Sequence, residues 1–316
     1  MSGLAIGVDL GGTNARAALV DVAGGGRILV EEKSRVTDHA PAAVADLVAG
    51  LIARVKTSHG ADAPLPIGVG FAGMLRGATG VVANGPNYGW RDVDLGTLLR
   101  ARLGAEVHLH NDMNAVAFGE SRYGGERPER DLLCVYVGTG VGGGMVLAGN
   151  LYIGTNHLAG EIGHVKVVVN GRLCGCGQRG CIEAYAGGTH LAARARQELG
   201  AGAVSLAVEL AGGAANVHAG HLDQAAAAGD PFAVNLLDEV APLLALVLAN
   251  AVTLLNPSVL VLGGGVWERA PELRRRVLAV LPLAVNAPAS EGLTIRDTRL
   301  GDNAGVLGAA TLASMH

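Results

Sequence analysis

The sequence predicts an α/β protein built from two related lobes. Three observations carry this. The chain has 316 residues, and at roughly 150 residues per domain that allows about two domains. Short apolar runs alternate with segments of helical periodicity, as strands and helices do in this class. A strand, a glycine-rich loop and a second strand also occur twice. Leu4–Val8, the polar turn Asp9-Leu10-Gly11-Gly12-Thr13-Asn14 and Ala15–Val20 form the first unit. Leu132–Val137, Gly138–Gly144 and Met145–Leu147 form the second. Both read as hairpins with a glycine tip.

Between and after these units the elements follow in order. Val44, Leu47, Val48, Leu51, Ile52 and Val55 share one helical face. Pro66–Val69 and Glu106–His110 read as strands, and Asn111-Asp112 ends the latter before a helix over Met113–Tyr123. A helix over Thr189–Leu199 is closed by Gly200. A long helix over Pro231–Leu255 is stopped at Asn256-Pro257. Val259–Leu262 is a strand entering Gly263-Gly264-Gly265, and Ala304–Met315 is a terminal helix. The expected division places residues 1–112 in an N-terminal lobe. A terminal helix at about 303–316 would pack back on it. Residues 113–302 would form a C-terminal lobe carrying the cysteine loop and the later glycine loops, and a cleft would lie between the lobes.

Composition narrows the function. Hydrophobic residues make up 50% and charged residues 16%, which excludes a disordered chain. The net charge is −4, with no basic stripe for nucleic acid or an anionic membrane. Aromatics are 3%, too few for a base-stacking platform. The start has no signal-peptide pattern. The longest apolar stretch, Val240–Leu255, is shorter than the roughly 20 residues that cross a bilayer. A cytoplasmic protein without nucleic-acid or membrane partners is expected.

Neither glycine loop fits a dinucleotide fold. Gly68-Gly70-Gly73 and Gly138-Gly140-Gly143 match G-x-G-x-x-G in letters. That fingerprint must run from strand into helix, and neither loop is followed by a helical pattern. The lysines are Lys33, Lys56 and Lys166, and none follows a glycine, so no P-loop lysine is present. Phosphate would be held by backbone N–H groups and hydroxyls.

Four segments carry chemistry. Asp9 is either a turn aspartate or an acceptor for Mg²⁺ through water, with Gly11, Gly12 and Thr13 around a phosphate. Asp112 is either a helix N-cap or a general base beside Asn111, which would fix a substrate hydroxyl. His164, Cys174, Cys176 and Cys181 have the spacing H-x9-C-x-C-x4-C, and three thiolates with one imidazole suit a closed structural zinc site. Glu161 and Glu183 flank this cluster, either as grips for sugar hydroxyls or as solvated surface charge. Cys134 reads as a small core residue.

Together these segments resemble the ROK family of sugar kinases and repressors, within the actin-like ATPase superfamily. The resemblance spans nearly the whole chain. Asp9-Leu10-Gly11-Gly12-Thr13-Asn14 resembles the family's first phosphate motif and Gly138–Gly144, with Gly138, Thr139 and Gly140, its second. Asn84–Trp90 resembles the sugar-contacting segment, with Asn87 the hydroxyl ligand. Asn111-Asp112 resembles the catalytic pair, Asp112 being the base. Glu161-Ile162-Gly163-His164 resembles E-x-G-H, and Cys174–Glu183 the C-G-C-G-x-x-G-C-x-E segment. Gly263, Gly264 and Gly265 resemble the adenosine-side loop. His110 stands where many members carry Glu, and Trp267 after the glycine run is unusual.

The resemblance implies a two-lobed, actin-like (ribonuclease-H-like) fold with ATP and Mg²⁺ in the cleft and a structural Zn²⁺. A hexose would contact Asn87, Asn111, Asp112, Glu161, His164 and Glu183, and Asp112 would deprotonate its 6-hydroxyl. Glucose is the expected sugar. N-acetylhexosamines (N-acetylmannosamine or N-acetylglucosamine), fructose and allose are the alternatives, and a non-catalytic sugar sensor is the rival class. Family repressors carry a helix-turn-helix ahead of the first hairpin. Here the first strand starts near Leu4, so a kinase is expected. A homo-oligomer, dimer or tetramer, is expected as well.

Overall fold

The computed structural model describes residues 3–60 and 63–316. Its strands are β1 (Leu4–Leu10), β2 (Asn14–Asp21), β3 (Arg27–Arg35), β4 (Ile67–Phe71), β5 (Met74–Leu75), β6 (Val81–Gly85), β7 (Trp90–Asp94) and β8 (Val107–Asn111), followed by β9 (Leu132–Val137), β10 (Val141–Leu147), β11 (Asn150–Leu151), β12 (Val259–Gly263) and β13 (Thr294–Asp297). They form two five-stranded sheets, β3-β2-β1-β4-β8 and β11-β10-β9-β12-β13, and a small sheet β5-β6-β7.

The chain divides into two compact units. The first holds Met1–Cys134, Gly144–Gly160 and Thr298–His316, and the second Val135–Gly143 and Glu161–Asp297. The division therefore does not follow the expected cut after residue 112. The helix Asp112–Tyr123 packs on β4, β8 and the helix Asn303–Ala313 inside the first unit.

In the first unit, β1, β4 and β8 run parallel, with Asp9 opposite Gly70 and Gly70 opposite His110. The carboxyl ends of parallel strands are where α/β sheets present ligand-binding groups. Apolar residues of β1, β2, β4 and the helix Pro41–His59 form the core on one face. The helix Asn303–Ala313 covers β1 and β4 at backbone distance. A Cβ on Gly7 would lie 1.9 Å from the Val306 carbonyl oxygen, and one on Gly68 2.0 Å from that of Ala309. Gly308 meets the helix Asp112–Tyr123 as tightly, at 1.7 Å from the Ala115 oxygen. Only glycine permits such contact.

The second unit is mostly helical. Asp230 caps the helix Pro231–Leu255 by accepting from Ala233 N–H at 2.9 Å. Asn256, in the left-handed conformation at φ 45°, ends it as the Asn-Pro pair predicts. This is the one helix among the described residues long and apolar enough to cross a membrane. Its apolar stripe, including Leu236, Val240, Leu244, Leu248 and Val252, is buried, and it packs on the helices Ala219–Ala227 and Pro271–Ala284.

Both hairpins have shorter tips than their sequence suggests. β1 runs through Asp9 and Leu10, which pair with Arg16 and Ala15, so the first turn is only Gly11–Thr13. In the second hairpin β10 starts at Val141 and includes three glycines. A Cβ on Gly144 would lie 2.5 Å from the Met113 carbonyl oxygen. That glycine serves close approach of a helix to a strand, not turning.

Candidate active site

Asp9 and the first glycine loop belong to the first unit. The loop is closed by Gly11 N–H donating to the Asn14 oxygen at 3.0 Å, and Thr13 and Asn14 are exposed at its tip. Aromatic residues brace it from behind. The Tyr88 hydroxyl donates to the Gly11 oxygen at 2.7 Å, and His39 Nε2 lies 3.1 Å from that of Gly12. Trp90 Nε1 holds the His39 oxygen at 2.7 Å, and the Phe71, Tyr88 and Trp90 rings stack with centroids 4.6–5.6 Å apart. A Cβ on Gly12 would fall 2.6 Å from Asn87 Cβ, so the exposed Asn87 sits directly beside the loop. Within the segment Asn84–Trp90 the sequence assigns a role to Asn87 alone. The bracing role of Tyr88 and Trp90 is signalled only by two aromatics standing close together in a chain of 3% aromatics, and that of His39 by nothing local.

Asp9 lines a cavity of about 590 Å³ with Asn14, Arg16, Lys33 and Asp302. Burial pushes its carboxyl up to about 6; Arg16 opposes this and Asp302 adds to it. Two carboxylates on one cavity wall, one of them costly to ionise, make a place where a hard cation would offset the repulsion. Asp302 was not among the sequence candidates. It lies almost 300 positions from Asp9 and is held where Arg16 Nη1 donates to its backbone oxygen at 2.9 Å.

Asn111 and Asp112 stand at the end of β8, and the structure separates their roles. Asn111 is the helix cap. Its Oδ1 accepts from Asn114 N–H at 3.1 Å, and its Nδ2 donates to the Gly73 oxygen at 3.1 Å. Asp112 begins the helix, half-buried, with Oδ1 accepting from Met113 N–H at 2.9 Å. The N-cap role considered for Asp112 therefore belongs to its neighbour. His110 is half-buried just before them, and its buried Nε2 has no hydrogen-bond partner among the described residues. Burial, then the neighbouring His108, His316 and His157, push it down to about 4.

The second unit gathers the remaining candidates. Glu161 precedes the 3₁₀ turn Ile162–His164, and its Oε2 lies 3.7 Å from His164 Nε2. The other ring nitrogen, Nδ1, is 3.8 Å from Cys174 Sγ, and Cys176 and Cys181 Sγ are 3.7 Å apart. All four candidate ligand atoms lie within 4.8 Å of one another. Zinc–sulfur bonds of about 2.3 Å in a tetrahedron separate sulfurs by about 3.8 Å, so the set fits Zn²⁺. Burial pushes the Cys174 thiol up to about 12, and a metal would take the proton's place.

Glu183 is not solvated surface charge. Its Oε2 accepts from Val141 N–H at 3.0 Å, and its Oε1 lies 3.6 Å from Cys174 Sγ. A Cβ on Gly140 would clash with it at 2.3 Å. The second glycine loop is further tied by Gly188 N–H to the Gly138 oxygen at 2.9 Å and Thr189 N–H to that of Thr139 at 3.0 Å, leaving Thr139 exposed. Gly264 sits at φ 93° with its Cβ position 2.7 Å from the Val137 oxygen, which requires glycine there. Trp267 is buried and donates to Asp297 Oδ1 at 2.9 Å, so it anchors the unit's core behind Gly263–Gly265. Cys134 is a buried strand residue, as expected.

The family model for "ROK family" matches residues 5–316. The chain belongs to the ROK family. A glucokinase of Streptomyces coelicolor is 35% identical to this ROK protein over 318 residues, covering 98% of each chain. A ROK glucokinase from Streptomyces griseus, solved with glucose and AMPPNP, superposes with a TM-score of 0.80 at 33% identity, covering 99% of this chain and 100% of that one. The ROK hexokinase of Thermus thermophilus gives 0.83 at 32% identity, covering 99% and 98%. The ROK chain thus has the actin-like ATPase fold, with its repeated strand–glycine loop–strand unit.

Proposed function

We propose that this chain transfers the γ-phosphoryl group of ATP to the 6-hydroxyl of a hexose, with glucose the preferred sugar. The observation that carries the reading is the placement of Asp9 and Asp112 at the carboxyl ends of parallel strands of one sheet, with Asn111 taking the capping role. Phosphoryl transfer needs mainly positioning and charge neutralisation, and one carboxylate to orient the attacking hydroxyl. Asp112 accepts the 6-hydroxyl proton as that oxygen attacks. Asn111 keeps one amide hydrogen and one lone pair for a neighbouring hydroxyl. Asn87, Glu161, His164 and Glu183 hold the remaining hydroxyls.

Gly11, Gly12, Thr13 and Asn14 on one loop, and Gly138, Thr139 and Gly140 on the other, offer N–H groups and hydroxyls to the phosphates. Gly263, Gly264 and Gly265 receive the adenosine side. Asp9 would hold Mg²⁺ through water, and when bound the ion would supply charge neutralisation for the phosphate oxygens. His164, Cys174, Cys176 and Cys181 would hold one Zn²⁺. Four protein ligands leave no open position, so its role is architectural. The glucokinases and hexokinase among the relatives support a cytoplasmic sugar kinase. A homo-oligomer, measurable by light scattering, belongs to the same reading.

Purified protein with Mg-ATP and a panel of hexoses, followed by ADP release, tests the proposal. The highest kcat/KM should fall to glucose. Preference for N-acetylmannosamine or N-acetylglucosamine would replace the sugar assignment. No ADP release with any hexose, despite sugar binding, would make the protein a sensor.

A further inference from the structure

Three thiolates and a neutral imidazole around Zn²⁺ carry one net negative charge. In the second unit a single ammonium group faces that charge. Lys166 Nζ lies 2.8 Å from Cys181 Sγ, and the charges acting on it are those of Cys181, Cys176 and Cys174. The placement is built into the backbone. Lys166 stands directly opposite Cys181 in an antiparallel bridge. Val167 N–H donates to the Gly180 oxygen at 2.8 Å on one side, and Ile182 N–H to that of Val165 at 2.9 Å on the other. Gly180, at φ 82° with its Cβ position 1.9 Å from the Val168 oxygen, locks this register. Lys166 is one of three lysines in the chain, and the cysteine motif does not include it.

We propose that Lys166 is the counter-cation of the metal centre: its ammonium donates to the Cys181 sulfur, offsets the charge of the Cys₃His site and slows loss of the metal. The inference rests on the zinc reading given above. A charge-assisted N–H···S contact lowers the basicity of the Cys181 thiolate, so a proton competes less well for the sulfur whenever the metal–sulfur bond opens, and re-closure on the metal is favoured. Cys181 is fully buried while Lys166 is exposed. Solvent therefore screens the ammonium, and the effect belongs at the lower end of what outer partners of metal ligands contribute.

The test follows zinc release into a chromogenic chelator from the wild type, Lys166→Met and Lys166→Arg, each purified with its metal. All three should start with one zinc per chain. Lys166→Met should release it about 3–10-fold faster, and Lys166→Arg should restore the slow rate. With cobalt in place of zinc, the sulfur-to-metal charge-transfer band should move to lower energy in Lys166→Met, a shift that general loosening of the loop does not produce. Equal release rates and an unmoved band in metal-loaded Lys166→Met would overturn the role of Lys166 and leave the zinc site standing. A wild type that holds no zinc and takes none up would overturn both.

Discussion

The Glu183 carboxylate accepts the backbone N–H of Val141 at 3.0 Å. A side chain at the end of the cysteine loop thereby holds the residue that follows the second glycine loop. The cysteine loop and the second glycine loop of the second unit thus share one hydrogen bond.

Glu183→Ala should therefore disturb both substrates. The buried donor loses its acceptor, which costs roughly 1–3 kcal/mol. The apparent KM values for glucose and ATP should rise together, and the melting temperature should fall. A change confined to glucose would show that the Val141 contact plays no part in nucleotide use.

Asp112→Asn and Asn111→Ala should separate chemistry from architecture. The first should lower kcat about 10²–10⁴-fold, with glucose affinity and thermal stability close to wild type, because Asn111 supplies the cap. The second should cost about 1 kcal/mol of stability from the lost cap, and it releases the Gly73 oxygen as well. Near-normal turnover by Asp112→Asn at saturating glucose would remove it as the base.

Asp9 and His110 should give opposite pH slopes in the protein free of magnesium and nucleotide. Asp9 is raised from 3.8 to about 6 by burial, so the folded state binds its proton more tightly. Its contribution makes stability fall as pH rises through that window, by no more than about 3 kcal/mol. His110 is lowered from 6.5 to about 4, so the unfolded chain binds that proton more tightly and stability is lost as pH falls from 6.5. Urea midpoints between pH 4 and 8 check both. Asp9→Asn should be more stable than wild type at pH 7, and His110→Gln should flatten the acid-side loss.

Elemental analysis should find one tightly held zinc per chain. Cys176→Ala should raise the glucose requirement and lower stability together, with a smaller change in ATP use. His164 presents Nδ1 toward Cys174 and Nε2 toward Glu161, so under the proposed function one ring would link metal to sugar contacts. Metal-free protein with unchanged glucose affinity would break that link.

Features whose chemistry is local in sequence were legible from it. The two hairpins, the Cys₃His spacing and the Asn111-Asp112 strand end each need only a few adjacent residues. What escaped depends on partners far apart. Tyr88 reaches Gly11 across 77 positions, and Val141 reaches Glu183 across 42. The half-exposed strand β3 hides its period under Glu31, Glu32 and Lys33. The glycines of β10 read as a turn because letters alone do not tell close packing from a bend.

The helix Asn303–Ala313 completes the sheet that presents Asp9, yet it leaves the ribosome after everything it covers. Arg16 waits for partners 286 and 287 positions downstream. During translation the glycine-lined face of β1 and β4 must stay open to solvent or to a chaperone, since nothing made earlier fits it at backbone distance. Contacts this distant also slow folding after synthesis. A premature stop codon just before residue 303 would spare every residue assigned to sugar and phosphate, yet release a chain that cannot finish the sheet holding two of them.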